Sequence, residues 1–372
     1  ILTIRILALT NLAYLYPEAI MQQRILQLDS DQPKRLQITY QIAELAHLGA
    51  SGDLTVLRTT QTAALYALDA LTKHKSRSAD VCAALNVNVN HGILMFLTRK
   101  AIAELSADQD DGEESDDWRD ALLLLLRTLP GSSSRTPETL IAAGLIPLFV
   151  DVLNLRTEKA RRVYPRVLEF LDTFVHAVRD ALGTLANAKG FDAISDLIGF
   201  ETKSAFDNVN EGIGIPTEYR TPSVDYDIPY FQQQSLRWLF RFVNHIMQHN
   251  GGGFDRLLRN LVDSPPLLIA LRLVFENAKI FGSHVWSGAV SILSSFIHNE
   301  PTSYAVIAEA GLSKSLLEAI TLIELKTPEA DATVMTEEIN SATQPGAPSS
   351  APSTAANITH RLSRTPDQQL AR

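Results

Sequence analysis

Apolar residues along this chain recur mainly at the spacing of an α-helix. Clear stripes with three- or four-residue steps cover residues 57–71, 163–182 and 236–247. This spacing places the apolar side chains on one face of a helix, where they can pack against a neighbour. Two further stripes, at residues 267–278 and 285–297, extend the pattern. Helices are therefore predicted to fill most of the chain.

One stretch departs from the helical period. In "LNVNVN", residues 85–90, apolar and asparagine residues alternate as they do in a β-strand. An isolated strand cannot form a sheet, because several paired strands are needed for stability. The fold class predicted is therefore all-α.

The helical stripes are separated by a recurring joint. "IAAGLIPLFVDVL" (residues 141–153) and "IAEAGLSKSLLEAI" (307–320) each place an Ala-Gly step between a short and a longer helix, and residues 187–198 and 89–97 are weaker copies. Glycine permits a left-handed or tightly packed turn that ends a helix. Such helix pairs stack, since none buries its apolar face alone. The pattern predicts a degenerate armadillo/HEAT-like helical solenoid, in which His91-Gly92 is a joint and not an active-site turn.

Three segments interrupt the array. The acidic run "DQDDGEESDD", residues 108–117, is predicted to be a solvated loop because like charges repel. Residues 209–231 contain three prolines and no helical period, which favours an irregular insert lying across the solenoid surface. Residues 327–372 are rich in Ala, Ser, Thr and Pro, and we expect a disordered low-complexity tail there.

Composition and charge argue against nucleic-acid binding and membrane binding as functions of this chain. The chain has 372 residues and a formal net charge of −9, without the excess of Lys and Arg expected of a nucleic-acid or anionic-membrane binder. Its single cysteine, Cys82, allows no internal disulfide, which fits a reducing compartment. Apolar runs such as residues 121–126 and 145–150 are too short to span a bilayer. No nucleic-acid or membrane partner is therefore expected.

The candidate nucleophile and metal ligands lack partners in the sequence. Cys82 has no basic neighbour that would favour its thiolate, so we expect a small core residue. His245 and His249 have the i, i+4 spacing of some zinc sites, but no acidic residue lies between them and no third ligand is nearby. No metal site is predicted from this pair.

Glycine-rich and acidic stretches also lack the context that chemistry needs. Neither "NGGGF" (250–254) nor "EGIGIP" (211–216) follows a strand or precedes the Gly-Lys-Ser/Thr of a phosphate-binding loop. "DYD", residues 225–227, offers too few oxygens for a hard cation. We therefore expect no catalytic, cofactor-binding or metal-binding residue in this chain, and no cofactor.

Two charged clusters leave a binding role open. "EKARRVYPR", residues 158–166, is interpreted as a solvated face pairing locally with Glu158 and Glu169, with a phosphate or acidic-peptide contact as the alternative. The acidic residues 108–117 have a corresponding alternative as a docking strip for a basic substrate.

Two stretches carry a family resemblance. "LNVNVNHGILMFLTRK" (85–100) and residues 228–320, with their Arg-Leu-rich connector and final Ala-Gly step, resemble the N-terminal armadillo-like region of the giant HECT-type E3 ubiquitin ligases, the fungal Tom and animal HUWE group. The resemblance implies two adjacent domains, residues 1–155 and 156–326. It implies no catalytic residue here, because the catalytic cysteine of these ligases lies in a C-terminal domain that Cys82 does not match.

The resemblance implies a segment that recruits protein substrates, basic proteins among them, in the nucleus or cytoplasm. Ubiquitin transfer and contact with the ubiquitin-conjugating enzyme would belong to the C-terminal domain of the parent. The alternative is a non-enzymatic armadillo-type scaffold, such as a transport or assembly factor. Importin-type grooves repeat Trp and Asn on one helix, whereas no Asn follows Trp118, Trp238 or Trp286 at a helical step. That absence disfavours the transport alternative.

Overall fold

The chain folds into helices throughout the part that the structure describes. The computed structural model describes residues 1–15, 31–48, 56–107, 112–248, 260–261, 263–299 and 304–321. No strand occurs among them, which confirms the predicted all-α fold. The alternating residues 85–90 form consecutive turns. The predicted tail, residues 327–372, lies outside the described residues.

Sixteen α-helices and three short 3₁₀ turns have bounds within the described residues, the 3₁₀ turns at Lys34–Leu36, Leu129–Ser132 and Thr217–Tyr219. The helices are α1 (Leu2–Leu15), α2 (Ile38–Leu48), α3 (Arg58–Thr72), α4 (Lys75–Ala84), α5 (Ile93–Ser106), α6 (Glu113–Thr128), α7 (Thr136–Ala142), α8 (Leu145–Asn154), α9 (Glu158–Ala177), α10 (Ala181–Asn187), α11 (Gly190–Asn210), α12 (Tyr230–Gln248), α13 (Pro265–Glu276), α14 (Ala278–Asn299), α15 (Tyr304–Glu309) and α16 (Leu312–Thr321).

A three-helix unit recurs along the chain. A short helix leads through a glycine joint into a second helix, and a third helix longer than the first follows: α4–α5–α6, α7–α8–α9 and α10–α11–α12. The pair α15–α16 repeats the first two parts of this unit. The spacing between units is uneven, as the irregular joints in the sequence predict.

The units stack into two rows of helices. One row contains α1, α3, α6, α9, α12 and α14, and the other contains α2, α5, α8, α11, α13 and α16, with each helix packing on the next in its row. Most of the buried apolar side chains form one continuous cluster from Ile6 to Leu312, and Ala13 and Ala70 form a small separate cluster. This arrangement confirms the predicted helical solenoid, because each unit buries its apolar faces against its neighbours.

The glycine joints use two different kinds of geometry. Gly144 and Gly311 have positive φ angles of 97° and 74°, the left-handed conformation that glycine adopts without steric cost. Gly92 instead has an ordinary φ of −69°. A Cβ atom at Gly92 would lie 2.1 Å from the backbone oxygen of Asn86, so this joint needs glycine for close packing. The neighbouring His91 is exposed and belongs to the same turn.

Part of the predicted acidic loop is helical. Residues 113–117 form the start of α6, and Glu113, Glu114 and Asp116 lie in its first turn. Carboxylates are favourable there because the N-terminus of a helix carries a partial positive charge. The loop prediction is therefore wrong for these residues. Residues 108–111 lie outside the described part of the chain.

The irregular insert is shorter than predicted and packs on the solenoid near its C-terminal end. Helix α11 continues to Asn210 and α12 begins at Tyr230, so only residues 211–229 are irregular. The Asp227 amide donates a hydrogen bond of 2.9 Å to the Ile280 carbonyl, and Ile228 is fully buried. The insert therefore packs against the beginning of α14.

One described helix is long and apolar enough to cross a membrane, which the short apolar runs do not predict. It covers residues 278–298, and counting the bent pair α7–α8 as one span would add a second candidate. In the solenoid, Phe281, Val285 and Ile292 of this helix are fully buried in the common core. The apolar face of α14 thus packs against other helices.

Candidate interaction surface

Helices α6 and α9 are neighbours in the first row, and their charged side chains face each other. Arg162 Nη1 lies 3.1 Å from Asp116 Oδ2, and Arg166 forms an ion pair with Asp120. The basic cluster at residues 158–166 thus pairs with the acidic segment of the preceding unit. The two charged clusters considered separately in the sequence are one surface.

The predicted local pairing of the basic cluster is only partly correct. Arg161 does pair with Glu158, through an Nη1–Oε2 distance of 2.5 Å. Glu169, however, pairs with Arg127 of α6 at 2.9 Å and not within its own helix. Inter-helix partners are available because α6 and α9 are neighbours in one row.

An aromatic ring of α12 extends this charged surface. The guanidinium carbon of Arg162 lies 5.4 Å from the ring centroid of Phe231, whose side chain is 39% exposed. We call Asp116, Asp120, Arg162, Arg166 and Phe231 the three-helix strip. Aromatic and arginine side chains are enriched at protein–protein interfaces. Exposed ion pairs contribute little to folding, so these charges can exchange their partners for those of a bound protein.

The Arg161 side chain points away from the strip, and its contacts fix the position of α9. Its Nε donates to Glu201 Oε2 at 2.8 Å, and the Glu201 side chain is only 1% exposed. Burial raises the pKa of Glu201, although the neighbouring Arg161 acts to lower it. Ser235 of α12 donates to the Arg161 carbonyl at 3.1 Å. These contacts hold α9 against α11 and α12.

A buried tryptophan anchors the same end of α6 in the core. Trp118 is fully buried, and the guanidinium carbon of Arg58 lies 4.0 Å from its ring centroid. Arg58 and Arg119 both pair with Glu104 of α5. Trp118 is therefore a core residue that joins α3, α5 and α6, and is not a groove residue of the importin type.

Most candidate residues lie apart from one another in the structure. Cys82 is half-buried, with its Sγ 3.5 Å from Ser132 Oγ. The carboxylates of "DYD" attach the insert: Asp225 accepts from the Ser283 amide at 2.8 Å, and Asp227 pairs with Arg220 at 3.2 Å. These acids are therefore occupied by protein partners. His249 and the glycine-rich residues 250–254 lie outside the described residues.

His245 has partners that its sequence neighbours do not reveal. Its Nδ1 lies 3.1 and 3.0 Å from the two carboxylate oxygens of Asp172 on α9. The His176 ring lies beside it, with the ring centroids 5.7 Å apart. Spacing within α12 gives no sign of this cluster, because Asp172 is 73 positions away.

Two family models match the chain. Residues 165–361 match the family described as Domain of Unknown Function (DUF913), and residues 1–103 match Domain of Unknown Function (DUF908). The two matched segments follow each other along the chain.

Several proteins similar to this chain are named as E3 ubiquitin-protein ligases. The chain is 40% identical over 329 residues to an E3 ubiquitin-protein ligase TOM1-like of Neurospora crassa, covering 86% of this chain and 8% of the relative. It is 30% identical over 319 residues to the E3 ubiquitin-protein ligase ptr1 of Schizosaccharomyces pombe, covering 85% and 9%. It is 26% identical over 264 residues to UPL1 of Arabidopsis thaliana, covering 69% and 7%. These matches confirm the predicted resemblance.

The chain spans less than a tenth of the length of these relatives. Among solved structures, an engineered protein is similar over 78% of this chain and 97% of that chain, with 13% identity and a TM-score of 0.42. No functional conclusion follows from that likeness.

Proposed function

Since this chain belongs to the family described as Domain of Unknown Function (DUF913), whose model matches residues 165–361, we propose that it is a substrate-recruiting segment of a HECT-type E3 ubiquitin-protein ligase. The observation that carries the proposal is the 40% identity, over 86% of this chain, to a protein named as an E3 ubiquitin-protein ligase. The segment acts as an armadillo/HEAT-like scaffold in the nucleus or cytoplasm. Ubiquitin transfer occurs in a C-terminal domain outside this chain.

The architecture supports a recruiting role. Stacked helical units create an extended surface on which a partner can contact several helices at once. On the three-helix strip, arginines, carboxylates and an exposed phenylalanine come from α6, α9 and α12. A protein with mixed charges and an apolar anchor fits this surface, since charge complementarity contributes specificity and an aromatic contact contributes affinity.

The strip can be tested without unfolding the chain. Replacing both Arg162 and Arg166 by alanine should weaken binding of substrate proteins by about 10-fold or more, because arginine is enriched among the few interface residues that each cost over ~1 kcal/mol when truncated. The free energy of unfolding should change by less than about 1 kcal/mol per residue, since both side chains are almost half exposed. Binding is measured with substrates captured by the full-length protein, and stability by urea unfolding.

A matched variant carries the same loss of charge elsewhere. Lys34 and Lys203 are exposed and lie outside the three helices that form the strip, and replacing both by alanine should leave substrate capture unchanged. Equal capture by the wild type and the Arg162/Arg166 variant would place the substrate contact on another surface.

The ligase assignment is tested by the coding sequence that follows Arg372. A downstream HECT domain with its cysteine is the expected result, and it supports the substrate-recruiting role. A parent protein that lacks such a domain would contradict the proposal and would favour the alternative of a non-enzymatic armadillo-type scaffold in transport or assembly.

A further inference from the structure

We propose that Asp172, His176 and His245 form a binding site for a divalent transition-metal ion, with Zn²⁺ as the best match. The site lies where α9 and α12 pack together in the first row of helices. It is independent of the ligase function, and it is a site where the sequence alone predicts none.

Helical spacing on α9 and the approach of α12 together bring the three side chains to one place. Asp172 and His176 are one helical turn apart on α9, and this spacing places both on the same face. His245 reaches them from α12, with its Nδ1 3.0 Å from Asp172 Oδ2. One ligand atom from each residue can be chosen so that all three lie within 4.8 Å of one another.

The distances are close to those that a metal ion needs. Zinc binds imidazole nitrogen and carboxylate oxygen at about 2.0–2.2 Å, so two donors on one tetrahedral ion lie roughly 3.3 Å apart. The gap of 3.0 Å between His245 Nδ1 and the Asp172 carboxylate already matches this separation. In that gap a metal ion takes the place of the proton that the imidazole donates to the carboxylate.

His176 is able to complete the set. Its side chain is 46% exposed, which leaves room for the small rotation that brings it closer to the other two ligands. Its Nδ1 donates a hydrogen bond of 2.8 Å to the Asp172 carbonyl, and a carbonyl oxygen can only accept. The same Nδ1 lies 3.5 Å from Asp172 Oδ1, so turning the ring off the carbonyl, with its proton moved to Nε2, offers Nδ1 as the third donor atom.

The types of donor atom in the site favour some metal ions over others. Two imidazoles and one carboxylate favour Zn²⁺, Co²⁺ and Ni²⁺ over Mg²⁺ and Ca²⁺, which prefer all-oxygen sites. Three protein ligands leave a fourth position for water or for a donor group of a bound protein. The ion would link α9 to α12 and so tie two successive units of the solenoid together.

The test is calorimetric titration of the chain with ZnCl₂, together with the absorption spectrum of the Co²⁺ form. We expect one Zn²⁺ per chain and the visible absorption bands of Co²⁺ held by nitrogen and oxygen ligands. Loss of an outer-shell partner already weakens metal sites by about 10–100-fold, so His176→Ala and His245→Ala should each weaken binding at least about 10-fold. The matched control, His91→Ala, changes an exposed histidine of a turn and should bind like the wild type.

Two results would overturn the proposal. One is Zn²⁺ binding that neither His176→Ala nor His245→Ala weakens. The other is binding that depends on His245 and His249 but not on His176, which would assign the ion to the pair on α12. Circular dichroism of each variant ensures that any loss of binding occurs in a folded chain, and the exposed His176 gives the variant with the least effect on folding.

Discussion

Replacing Gly92 with alanine is expected to destabilise the chain by about 3 kcal/mol, the upper part of the range for overpacked sites. The added Cβ would lie 2.1 Å from the Asn86 backbone oxygen, which is far inside van der Waals contact. Backbone atoms cannot rotate away as the end of a side chain can. The turn between α4 and α5 must therefore open, and the 3.1 Å hydrogen bond from the Leu94 amide to the Leu85 carbonyl weakens with it. The shift of the urea unfolding midpoint measures the effect.

Gly183 provides the matched control for this substitution. It lies inside α10, and a Cβ atom there would meet no other atom within 4 Å. Alanine is a better helix former than glycine by about 0.5–1 kcal/mol, so Gly183→Ala should be neutral or slightly stabilising. Equal effects of the two substitutions would mean that the joint at Gly92 does not depend on close packing.

Replacing Arg161 with leucine is expected to destabilise the chain by about 3–5 kcal/mol at neutral pH. The substitution leaves Glu201 buried without its cationic partner, and an isolated buried carboxylate is strongly unfavourable. Urea unfolding of the variant and the wild type gives the difference. The exposed pair of Arg166 and Asp120 is the comparison, and Arg166→Ala should cost less than about 1 kcal/mol.

The loss of folding stability caused by Arg161→Leu should depend on pH. Burial already raises the pKa of Glu201, and removing Arg161 removes an influence that lowers it. A raised pKa in the folded state means that protonation stabilises the fold below the unfolded pKa and that this stability is lost as the pH rises. The variant should therefore recover stability relative to the wild type on acidification. A double variant with leucine at both positions should lose far less than Arg161→Leu alone. A single-variant loss below about 1 kcal/mol, constant with pH, would contradict the buried-pair account.

Much of the fold could be predicted because helical periodicity is a local property. The stripe at residues 163–182 predicts α9, although this helix ends at Ala177 and Leu182 belongs to α10, and the Ala-Gly steps predict the joints at Gly144 and Gly311. The reason for glycine at position 92 could not be predicted. Its nearest obstacle is the carbonyl of Asn86, and the path of the turn decides that approach.

Features that depend on packing between helices could not be predicted from the sequence alone. The start of α6 reads as a charged loop, yet its carboxylates lie at a helix N-terminus and face Arg162 and Arg166 of another unit. In the same way, the spacing of His245 and His249 suggests a pair within one helix, whereas the partners of His245 are on α9. The i, i+4 spacing of Asp172 and His176 is the one local signal that marks that cluster.

The central claim, that this chain recruits substrates for ubiquitin transfer carried out elsewhere, is tested in the full-length parent protein. Formation of the ubiquitin thioester and ubiquitylation of captured substrates are measured for the wild type and for the Arg162→Ala/Arg166→Ala variant. The account predicts an unchanged thioester and a loss of substrate ubiquitylation of about 10-fold, because only the recruiting surface has changed. Absence of a ubiquitin thioester in the wild type, or undiminished substrate ubiquitylation in the variant, would contradict it.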